Sequence, residues 1–509
     1  MVMARTLAVA LSGVTGQVVE VEADLSAGLP GLTFTGLADV SVVEARDRIR
    51  AAVLNSDRQW PNRRITIALL PADVRKVGSR FDLALAVAVL AAARVVPAHA
   101  IARRAWIAEL GLDGRLRPVR GVLPAVLAAH RAGVGQVIVA EPNAAEAALV
   151  SGIEVRAAST VGEVIAWLCG EAGPPPVAEP AAEAETARGP DLAEIAGQTL
   201  GKRALEVSAA GAHHLYLLGP PGAGKTMLAQ RLPGLLPTLD DAAALDVTAV
   251  HSVAGRLSQR GQLLRRPPFQ APHHTASVAA LVGGGSGLAT PGAISLAHHG
   301  VLFLDEAPEF NPSALDGLRQ PLEEGRVLLH RSHGSVSYPA RFMLVLAANP
   351  CPCGARSGEC TCAPGQRRRY RMRLSGPLLD RVDIRLVVDP VSRSDLLAEP
   401  ADRESSAVVA HRVEVARAAA AERWQAEGWP TNGEVPGGVL RRRPWRLPRA
   451  ALQEAESHLD SGELSARGFD RVLRVAWTIA DLSGHMVPDG DDVREAVFLR
   501  TGRDTAWAA

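Results

Sequence analysis

Residues 219–226 of this chain read Gly219-Pro220-Pro221-Gly222-Ala223-Gly224-Lys225-Thr226. The apolar residues 215–218 precede this stretch and a helix-forming sequence follows it, so the pattern predicts a strand, a loop and a helix. In that setting G-x-x-x-x-G-K-[ST] is typical of a phosphate-binding loop, whose backbone N–H groups point at the phosphates. We therefore predict that these residues bind a nucleotide, with Lys225 on the β- and γ-phosphates and the Thr226 hydroxyl on Mg²⁺.

A second apolar run, residues 300–304, ends in two carboxylates, Asp305 and Glu306. Downstream of a phosphate-binding loop, we expect Asp305 to hold the metal ion and Glu306 to orient the attacking water. This arrangement favours hydrolysis over transfer to a hydroxyl substrate. Taken alone, the pair also fits a strand that simply ends in solvent.

Two further polar residues follow short apolar or helical segments. Asn349 ends the β-like run 342–348, where its amide would help to hold water near the γ-phosphate; the alternative is an Asn that opens the turn before Pro350. Arg381 follows a short helical segment and is a candidate finger for a neighbouring subunit's nucleotide. Its alternative is an ion pair with a nearby aspartate, Asp380 or Asp383.

The composition excludes several classes of protein. The chain has 509 residues, which predicts about three domains, and its net charge of +1 argues against a histone-like polycation. Five cysteines do not make a disulfide scaffold, and no apolar run reaches the ~20 residues that span a bilayer. We expect a soluble cytoplasmic protein with no membrane partner.

The sequence divides into blocks. Residues 1–170 alternate short β-like runs with Ala-rich helical stretches, which predicts an α+β domain. Residues 171–190 are rich in Pro, Ala and Glu and are predicted to be a linker. Residues 191–395 are predicted to form an α/β nucleotide-binding core with a parallel sheet, and residues 396–509 a helical domain.

Four of the five cysteines are close together in the sequence. Cys351, Cys353, Cys360 and Cys362 form a C-x-C…C-x-C pattern that would close a tetrahedral Zn²⁺ site. The spacing is tighter than the usual C-x₂-C, and free thiols are the alternative in a cytoplasmic protein. Cys169 is predicted to be a buried structural residue.

The loop 219–226, VLFLDE at 301–306, LAANPCPCG at 346–354 and SGPLLDR at 375–381 resemble the AAA+ ATPases of the magnesium-chelatase-like ComM/YifB family. The resemblance continues through residues 271–285 and 465–484. It implies an AAA+ P-loop ATPase core with a helical lid, preceded by a Lon-protease-like α+β domain. It also implies a hexameric ATPase that acts on single-stranded or branched DNA, in branch migration during homologous recombination and natural transformation.

The resemblance also implies a role for each site residue. Lys225 and Thr226 match the Walker A pair, and Asp305 and Glu306 match the Walker B pair. Asn349 matches the first sensor and Arg381 the finger that acts in trans. Arg467 matches the second sensor on the lid, with Arg474 as its alternative.

The N-terminal block resembles Lon proteases around residues 71–82. Arg80 stands where those proteases carry their nucleophilic serine, and the nearest serine, Ser79, precedes that position by one residue. We therefore predict no protease activity. Lysine is rare in this chain. Besides Lys225, we expect Lys76 to be a surface or DNA-facing charge and Lys202 to lie near the nucleotide base.

Two loops are candidates for binding DNA. One is the Gly-rich stretch 281–291, and the other is the predicted hairpin 326–339 with Arg331, His330 and His333. Oligomer contacts are the alternative for both. We expect structural roles for the histidine pairs at 273–274 and 298–299, since adjacent side chains usually point in different directions.

Two other functions fit the same nucleotide motifs. One is a magnesium-chelatase motor subunit that helps to insert Mg²⁺ into a porphyrin. The other is a protein-remodelling ATPase whose Lon-like domain binds protein partners. The Lon-like domain and the cysteine cluster favour the DNA motor over the magnesium-chelatase subunit.

Overall fold

The computed structural model describes residues 2–180, 189–257, 261–285, 289–331, 334–354, 360–397 and 403–502. No helix within these ranges is long and apolar enough to cross a membrane. The elements fall into an N-terminal, a central and a C-terminal group.

The N-terminal group is built on a mixed sheet. Its strands are β1 (Val2–Ser12), β2 (Thr15–Ser26), β3 (Gly31–Thr35), β4 (Arg64–Leu70), β5 (Arg104–Ile107), β6 (Glu109–Leu110), β7 (Leu116–Arg117), β8 (Gln136–Ala140) and β9 (Glu154–Ala158). Its helices are α1 (Val40–Leu54), α2 (Asp82–Ala92), α3 (Val122–Arg131), α4 (Ala144–Ala147) and α5 (Val161–Leu168). Seven strands form one sheet in the order β3-β4-β2-β1-β5-β8-β9, and β1 pairs antiparallel with β2 along its whole length. The apolar helix α2 is buried at every position, and its only charged group, Asp82, pairs with Arg48 at 2.8 Å.

The central group contains the phosphate-binding sequence. Its helices are α6 (Thr199–Gly211), α7 (Lys225–Arg231), α8 (Asp241–Ala254), α9 (Val278–Val282), α10 (Ala293–Leu296), α11 (Pro312–Asp316), α12 (Arg319–Glu324), α13 (Pro364–Arg371), α14 (Gly376–Leu379) and α15 (Arg393–Leu397). Its strands are β10 (Leu215–Leu218), β11 (Phe269–Gln270), β12 (Gly283–Gly284), β13 (Thr290–Pro291), β14 (Val301–Leu304), β15 (Arg326–Arg331), β16 (Gly334–Pro339), β17 (Met343–Ala348) and β18 (Ile384–Val387).

Five of these strands form a parallel sheet in the order β11-β14-β17-β10-β18. The three central strands are buried at every position, which is why they read as continuous apolar runs rather than alternating ones. This sheet confirms the α/β class predicted from the phosphate-binding motif. All carboxyl ends of its strands meet at one edge, and that edge positions the site described below.

The C-terminal group is helical. It consists of α16 (Ser406–Arg423), α17 (Gly437–Leu440), α18 (Arg449–Asp460), α19 (Ala466–Ser483) and α20 (Gly490–Thr501). The indole rings of Trp424, Trp445 and Trp477 pack at centroid distances of 4.4 and 6.0 Å in its core. These helices share one hydrophobic core with α6 and the central sheet.

The N-terminal group packs against α8 and the β15–β16 hairpin. Apolar side chains of α3 share a core with Val253 of α8 and with Tyr338 of β16. The buried Glu146 accepts hydrogen bonds from Leu123 N at 2.9 Å and from the Ser252 hydroxyl of α8. Burial raises the pKa of Glu146, and these hydrogen bonds partly oppose that rise.

Candidate active site

The loop after β10 needs glycine at three positions. Gly222 and Gly224 have φ angles of 77° and 94°, in the left-handed region that strains other residues. A Cβ on Gly219 would lie 2.3 Å from the Val388 carbonyl oxygen, so no side chain fits there. The loop is therefore held close to the sheet edge, and its backbone runs directly into the N-terminus of α7.

Lys225 begins α7 and its ammonium lies inside this loop. Its Nζ donates hydrogen bonds to the carbonyl oxygens of Gly219 at 2.7 Å and Pro220 at 3.0 Å, and to Asn349 Oδ1 at 3.1 Å. All three ammonium protons therefore have acceptors. Burial lowers the pKa of Lys225, while the charges of Asp305 and Glu306 act in the opposite direction.

Thr226 and Asp305 meet between α7 and the end of β14. The Thr226 hydroxyl donates to Asp305 Oδ2 at 2.7 Å, and Glu306 N donates to Asp305 Oδ1 at 2.9 Å. A hydroxyl and a carboxylate side by side are the hard oxygen ligands that Mg²⁺ takes in phosphate sites. These residues therefore fit a magnesium ion beside the phosphate-binding loop.

Glu306 has a partner that the sequence analysis missed. Its Oε2 lies 3.1 Å from Nδ1 of His274, and its backbone has φ 50°. The neighbouring His273 instead contacts the Thr275 hydroxyl at 2.8 Å, so the two imidazoles have different polar partners. The signal was present in the sequence: His274 follows a short strand, β11, that is the parallel neighbour of β14. The polar residues after both strands therefore meet at one edge.

Asn349 lies at the same edge, after β17. Its side-chain oxygen accepts from Lys225, and its backbone is hydrogen-bonded to Tyr370 of α13. Burial raises the pKa of Tyr370 to about 12. The structure thus brings four of the predicted residues to one edge of the sheet as two hydrogen-bonded pairs, Lys225 with Asn349 and Thr226 with Asp305.

The three predicted arginines lie away from that edge. Arg381 immediately precedes β18, and its guanidinium pairs with Glu323 rather than with either aspartate considered from the sequence. Arg467 is exposed near the start of α19 and makes no hydrogen bond or ion pair among the described residues. Arg474 is largely buried in α19, and burial lowers its pKa to about 10.

The start of α19 lies beside the amino end of β18. A Cβ on Gly468 would be 3.8 Å from Arg500 Nε, and Arg500 donates to the Val382 carbonyl oxygen, just before β18. The phosphate-binding loop follows the carboxyl end of β10, which runs parallel to β18. Arg381 and the start of α19 with Arg467 therefore lie towards the amino ends of the parallel strands, and Lys225 of the same chain lies at their carboxyl ends.

Family models of magnesium chelatase match three parts of the chain. The model described as magnesium chelatase, subunit ChlI, matches residues 191–396; subunit ChlI of Mg-chelatase matches 21–143; and the ChlI C-terminal model matches 403–500. YifB of Escherichia coli is 42% identical over 96% of this chain and 95% of its own length. Competence protein ComM of Haemophilus influenzae is also 42% identical, over the same shares.

The chain belongs to the ComM/YifB family of magnesium-chelatase-like proteins. A Mycobacterium tuberculosis protein of the same length range is 53% identical over 99% of both chains. A Lon protease of Mycolicibacterium smegmatis is 31% identical over 191 residues, which are 35% of this chain and 23% of that protein. The expected fold, a magnesium-chelatase AAA+ domain together with Lon-like sequence, is thereby confirmed. Membership of this AAA+ ATPase family implies ATP and Mg²⁺ as its ligands.

The cysteine cluster of this family member is compact. Cys351 Sγ lies 3.2 Å from Cys353 Sγ and 3.4 Å from Cys360 Sγ, and the ligand atoms of all four cysteines lie within 4.8 Å of one another. Burial, followed by the neighbouring thiols, raises the pKa of Cys351 to about 12. Four sulfurs this close together could supply the ligands of a tetrahedral Zn²⁺ site. Cys169 is half-buried against the N-terminal core, where its thiol contacts Val95 O at 3.2 Å.

The two loops singled out for DNA lie next to each other. Tyr338 of β16 donates to the Ala289 carbonyl oxygen, and a Cβ on Gly283 would be 3.3 Å from Leu329 of β15. His330 contacts the Ser335 hydroxyl at 2.9 Å. His333, the side chain of Arg331 and residues 286–288 lie outside what the structure describes.

The expectation for Lys76 was wrong. Its side chain is 0% exposed, and its ammonium donates to the Pro71 carbonyl oxygen. The N-terminal group folds this segment back against the loop before α1, where Lys76 N donates to Leu37 O at 2.9 Å, so the lysine is buried there instead of facing solvent. Ser79 contacts Glu109, and Arg80 donates to Arg120 O at 3.2 Å.

Lys202 and His298 are both at least half-buried. Lys202 is half-buried in α6, and burial together with Arg403 lowers its pKa while Glu404 opposes this. His298 accepts a hydrogen bond from Arg341 N at 3.0 Å, and its ring lies 4.0 Å from that of His299. Ligand atoms of these two histidines and of Asp246 lie within 4.8 Å of one another, so the structural role expected for the pair stays a prediction.

Proposed function

We propose that this protein is an ATP-hydrolysing ring motor that acts on DNA and drives branch migration or strand separation during homologous recombination. The observation that carries the proposal is the contact of Lys225, Thr226, Asp305 and Asn349 at one edge of the AAA+ sheet. The DNA part is supported by likeness over nearly the whole chain to a protein named for competence, the capacity of cells to take up DNA.

In this proposal each residue at the sheet edge has one task. Lys225 binds the β- and γ-phosphates, and Thr226 with Asp305 holds Mg²⁺, which supplies charge stabilisation to the phosphoryl group when bound. Glu306 orients or deprotonates the attacking water. Asn349, already in contact with Lys225, positions that water from the next strand.

Two of the arginines act on a neighbouring subunit. Arg381 and Arg467 lie near the amino end of β18, whereas their own phosphate-binding loop follows the carboxyl end of the parallel strand β10. We assign both to the nucleotide of the adjacent subunit, where their charge would stabilise the transition state. Arg474, whose charge is buried within the lid, is assigned a structural role.

The remaining sequence-based assignments complete the proposal. Residues 281–291 and 326–339 line the path of DNA, and their proximity supports a shared surface. The four cysteines hold a structural Zn²⁺ ion that stiffens the loop after Asn349. The Lon-like domain has no protease activity, because Ser79 contacts Glu109 rather than a lysine.

A second function rests on the family models. All three carry the description of a magnesium-chelatase subunit, so a motor that assists insertion of Mg²⁺ into a porphyrin is the alternative. Both functions use the same ATP site. They differ in whether DNA changes the rate of hydrolysis.

The experiment is ATP turnover by the full chain with and without single-stranded and four-way-junction DNA, at stated salt concentrations. We expect DNA to raise turnover at low salt and to lose its effect as salt rises, since phosphate contacts are salt-dependent. The Glu306→Gln variant should still bind ATP and lose hydrolysis about a hundredfold or more. No binding of DNA and no stimulation at low salt would reject the DNA proposal; full turnover by the variant would reject the role of Glu306.

A further inference from the structure

An unusual density of positive charge lies just after the cysteine cluster. Residues 361–379 contain no Asp or Glu, although the whole chain has a net charge of only +1. Their arginines are Arg367, Arg368, Arg369, Arg371 and Arg373. Most of them are on the single helix α13.

The helix exposes part of this charge without internal partners. Arg368 and Arg369 are exposed and Arg367 is half-buried. Within the described residues, Arg367 and Arg368 make no ion pair or side-chain hydrogen bond, and Arg369 Nε donates only to the Gly365 carbonyl of its own helix. Arginines one turn apart, such as Arg367 and Arg371, repel each other, so this clustering does not serve the stability of the helix.

The opposite side of α13 is fixed to the nucleotide site. The buried Tyr370 is hydrogen-bonded to the backbone of Asn349, whose side chain contacts Lys225. Arg373, just beyond the helix, donates to Glu309 at 2.6 Å and to Pro308 O at 3.2 Å, in the turn that follows Glu306. A ligand on the arginine side would therefore bind a helix that is joined, through Asn349, to Lys225 and that is followed by a residue held to the turn after Glu306.

We propose that Arg367, Arg368 and Arg369 form a binding surface for the phosphate backbone of single-stranded DNA. The inference rests on the proposed DNA function and adds a contact site to it. The guanidinium fork matches phosphate oxygens geometrically, which makes Arg suited to this ligand. Tyr370, the one aromatic residue of α13, is buried, so the surface offers charge without base stacking and does not read sequence.

The test is the affinity of the full chain for oligo-dT, with a non-hydrolysable ATP analogue present, between 50 mM and 300 mM salt. Affinity falls as salt rises, so the slope of log affinity against log salt is negative. We expect the triple variant Arg367→Ala, Arg368→Ala, Arg369→Ala to reduce the magnitude of this slope by about two and to weaken affinity at 0.1 M salt by about a hundredfold. Replacement of the same residues by Lys should restore most of the slope, since lysine keeps the charge.

A matched control comes from the lid. Arg442, Arg446 and Arg449 are also exposed and make no side-chain contact among the described residues, so their replacement by Ala should leave the slope unchanged. Particle mass is measured for every variant. If the triple variant forms fewer oligomers than the wild-type protein while the oligomers that do form bind oligo-dT with normal affinity, α13 is a subunit interface and the inference is overturned.

The outcomes separate the two proposals. If the wild-type protein binds oligo-dT and the triple variant binds with the same affinity and slope, the arginine surface is overturned and the DNA function stands. If the wild-type protein does not bind DNA even at 50 mM salt, the proposed function itself fails.

Discussion

The orientation of Glu306 depends on a single neighbouring side chain. His274 Nδ1 lies 3.1 Å from its carboxylate, and no other side-chain partner of that carboxylate is seen among the described residues. We expect His274→Ala to reduce kcat for ATP about tenfold with KM unchanged, because a misplaced catalytic carboxylate costs rate rather than binding. Steady-state ATP turnover and binding of a fluorescent nucleotide measure the two effects separately.

The adjacent histidine gives the control for this prediction. His273 contacts Thr275 and not the carboxylate, but its ring packs on that of His274 at a centroid distance of 4.1 Å. His273→Phe keeps a ring in that place, so it should leave kcat within about twofold of the wild-type value. Equal losses in the two variants would mean that the segment as a whole, and not the contact with Glu306, supports turnover.

The position and contacts of some residues can be predicted from the sequence, and those of others cannot. Lys225 and Thr226 are set by spacing within one loop, which is local information, and the sequence predicted their positions. The contact of His274 with Glu306 joins two strands that are separate in the sequence, so it depends on the strand order of the sheet. The prediction for Lys76 was wrong for the same reason, because its burial is created when the N-terminal group folds around it.

Among the elements, the junction between β18 and the lid helix α19 rests on Asp383. This carboxylate is 2% exposed; it accepts from Arg471 Nη1 at 2.8 Å and from His214 N at 2.9 Å. Asp383→Asn leaves Arg471 without its charged partner, so we expect the free energy of unfolding at pH 7 to fall by about 3 kcal/mol. Urea unfolding followed by tryptophan fluorescence reports this directly, since the lid core contains Trp424 and Trp477.

The same junction has a defined pH dependence. Burial acts to raise the pKa of Asp383, but Arg471 and the nearby histidines and arginine outweigh it and hold the pKa well below its usual value. A depressed folded-state pKa gives stability that is present above the unfolded pKa of about 4 and is lost as pH falls further. The difference between wild type and Asp383→Asn should therefore shrink between pH 7 and pH 3. Asp380→Asn, whose carboxylate makes no hydrogen bond or ion pair among the described residues and acts only through its charge on Arg500, should show a much smaller difference at both pH values.

The sequence predicts elements well where burial is complete. Apolar runs gave β10, β14 and β17 to within about one residue, because strands buried on both faces carry an uninterrupted signal. The packing of the β15–β16 hairpin against the N-terminal domain carries no such signal. It depends on a close approach between Gly13 and Ser337 that only the folded chain creates.

For the whole molecule, the placement of Arg381 predicts that active sites are shared between subunits. Lys225→Ala and Arg381→Ala should each be inactive alone. Mixing them in equal amounts should restore about a quarter of wild-type turnover, because random head-to-tail assembly pairs an intact loop with an intact arginine at that frequency. No recovery in rings that are shown to be mixed would place Arg381 outside the trans site.

Under the proposed function, ATP hydrolysis that depends on Glu306 moves DNA strands. The most direct measurement is displacement of a labelled strand from a four-way junction by the full-length protein with ATP and Mg²⁺. We predict ATP-dependent displacement by the wild-type protein, and none by Glu306→Gln even where that variant binds the junction. Failure of an ATP-hydrolysing wild-type protein to displace strands, or equal displacement by Glu306→Gln, would contradict the account.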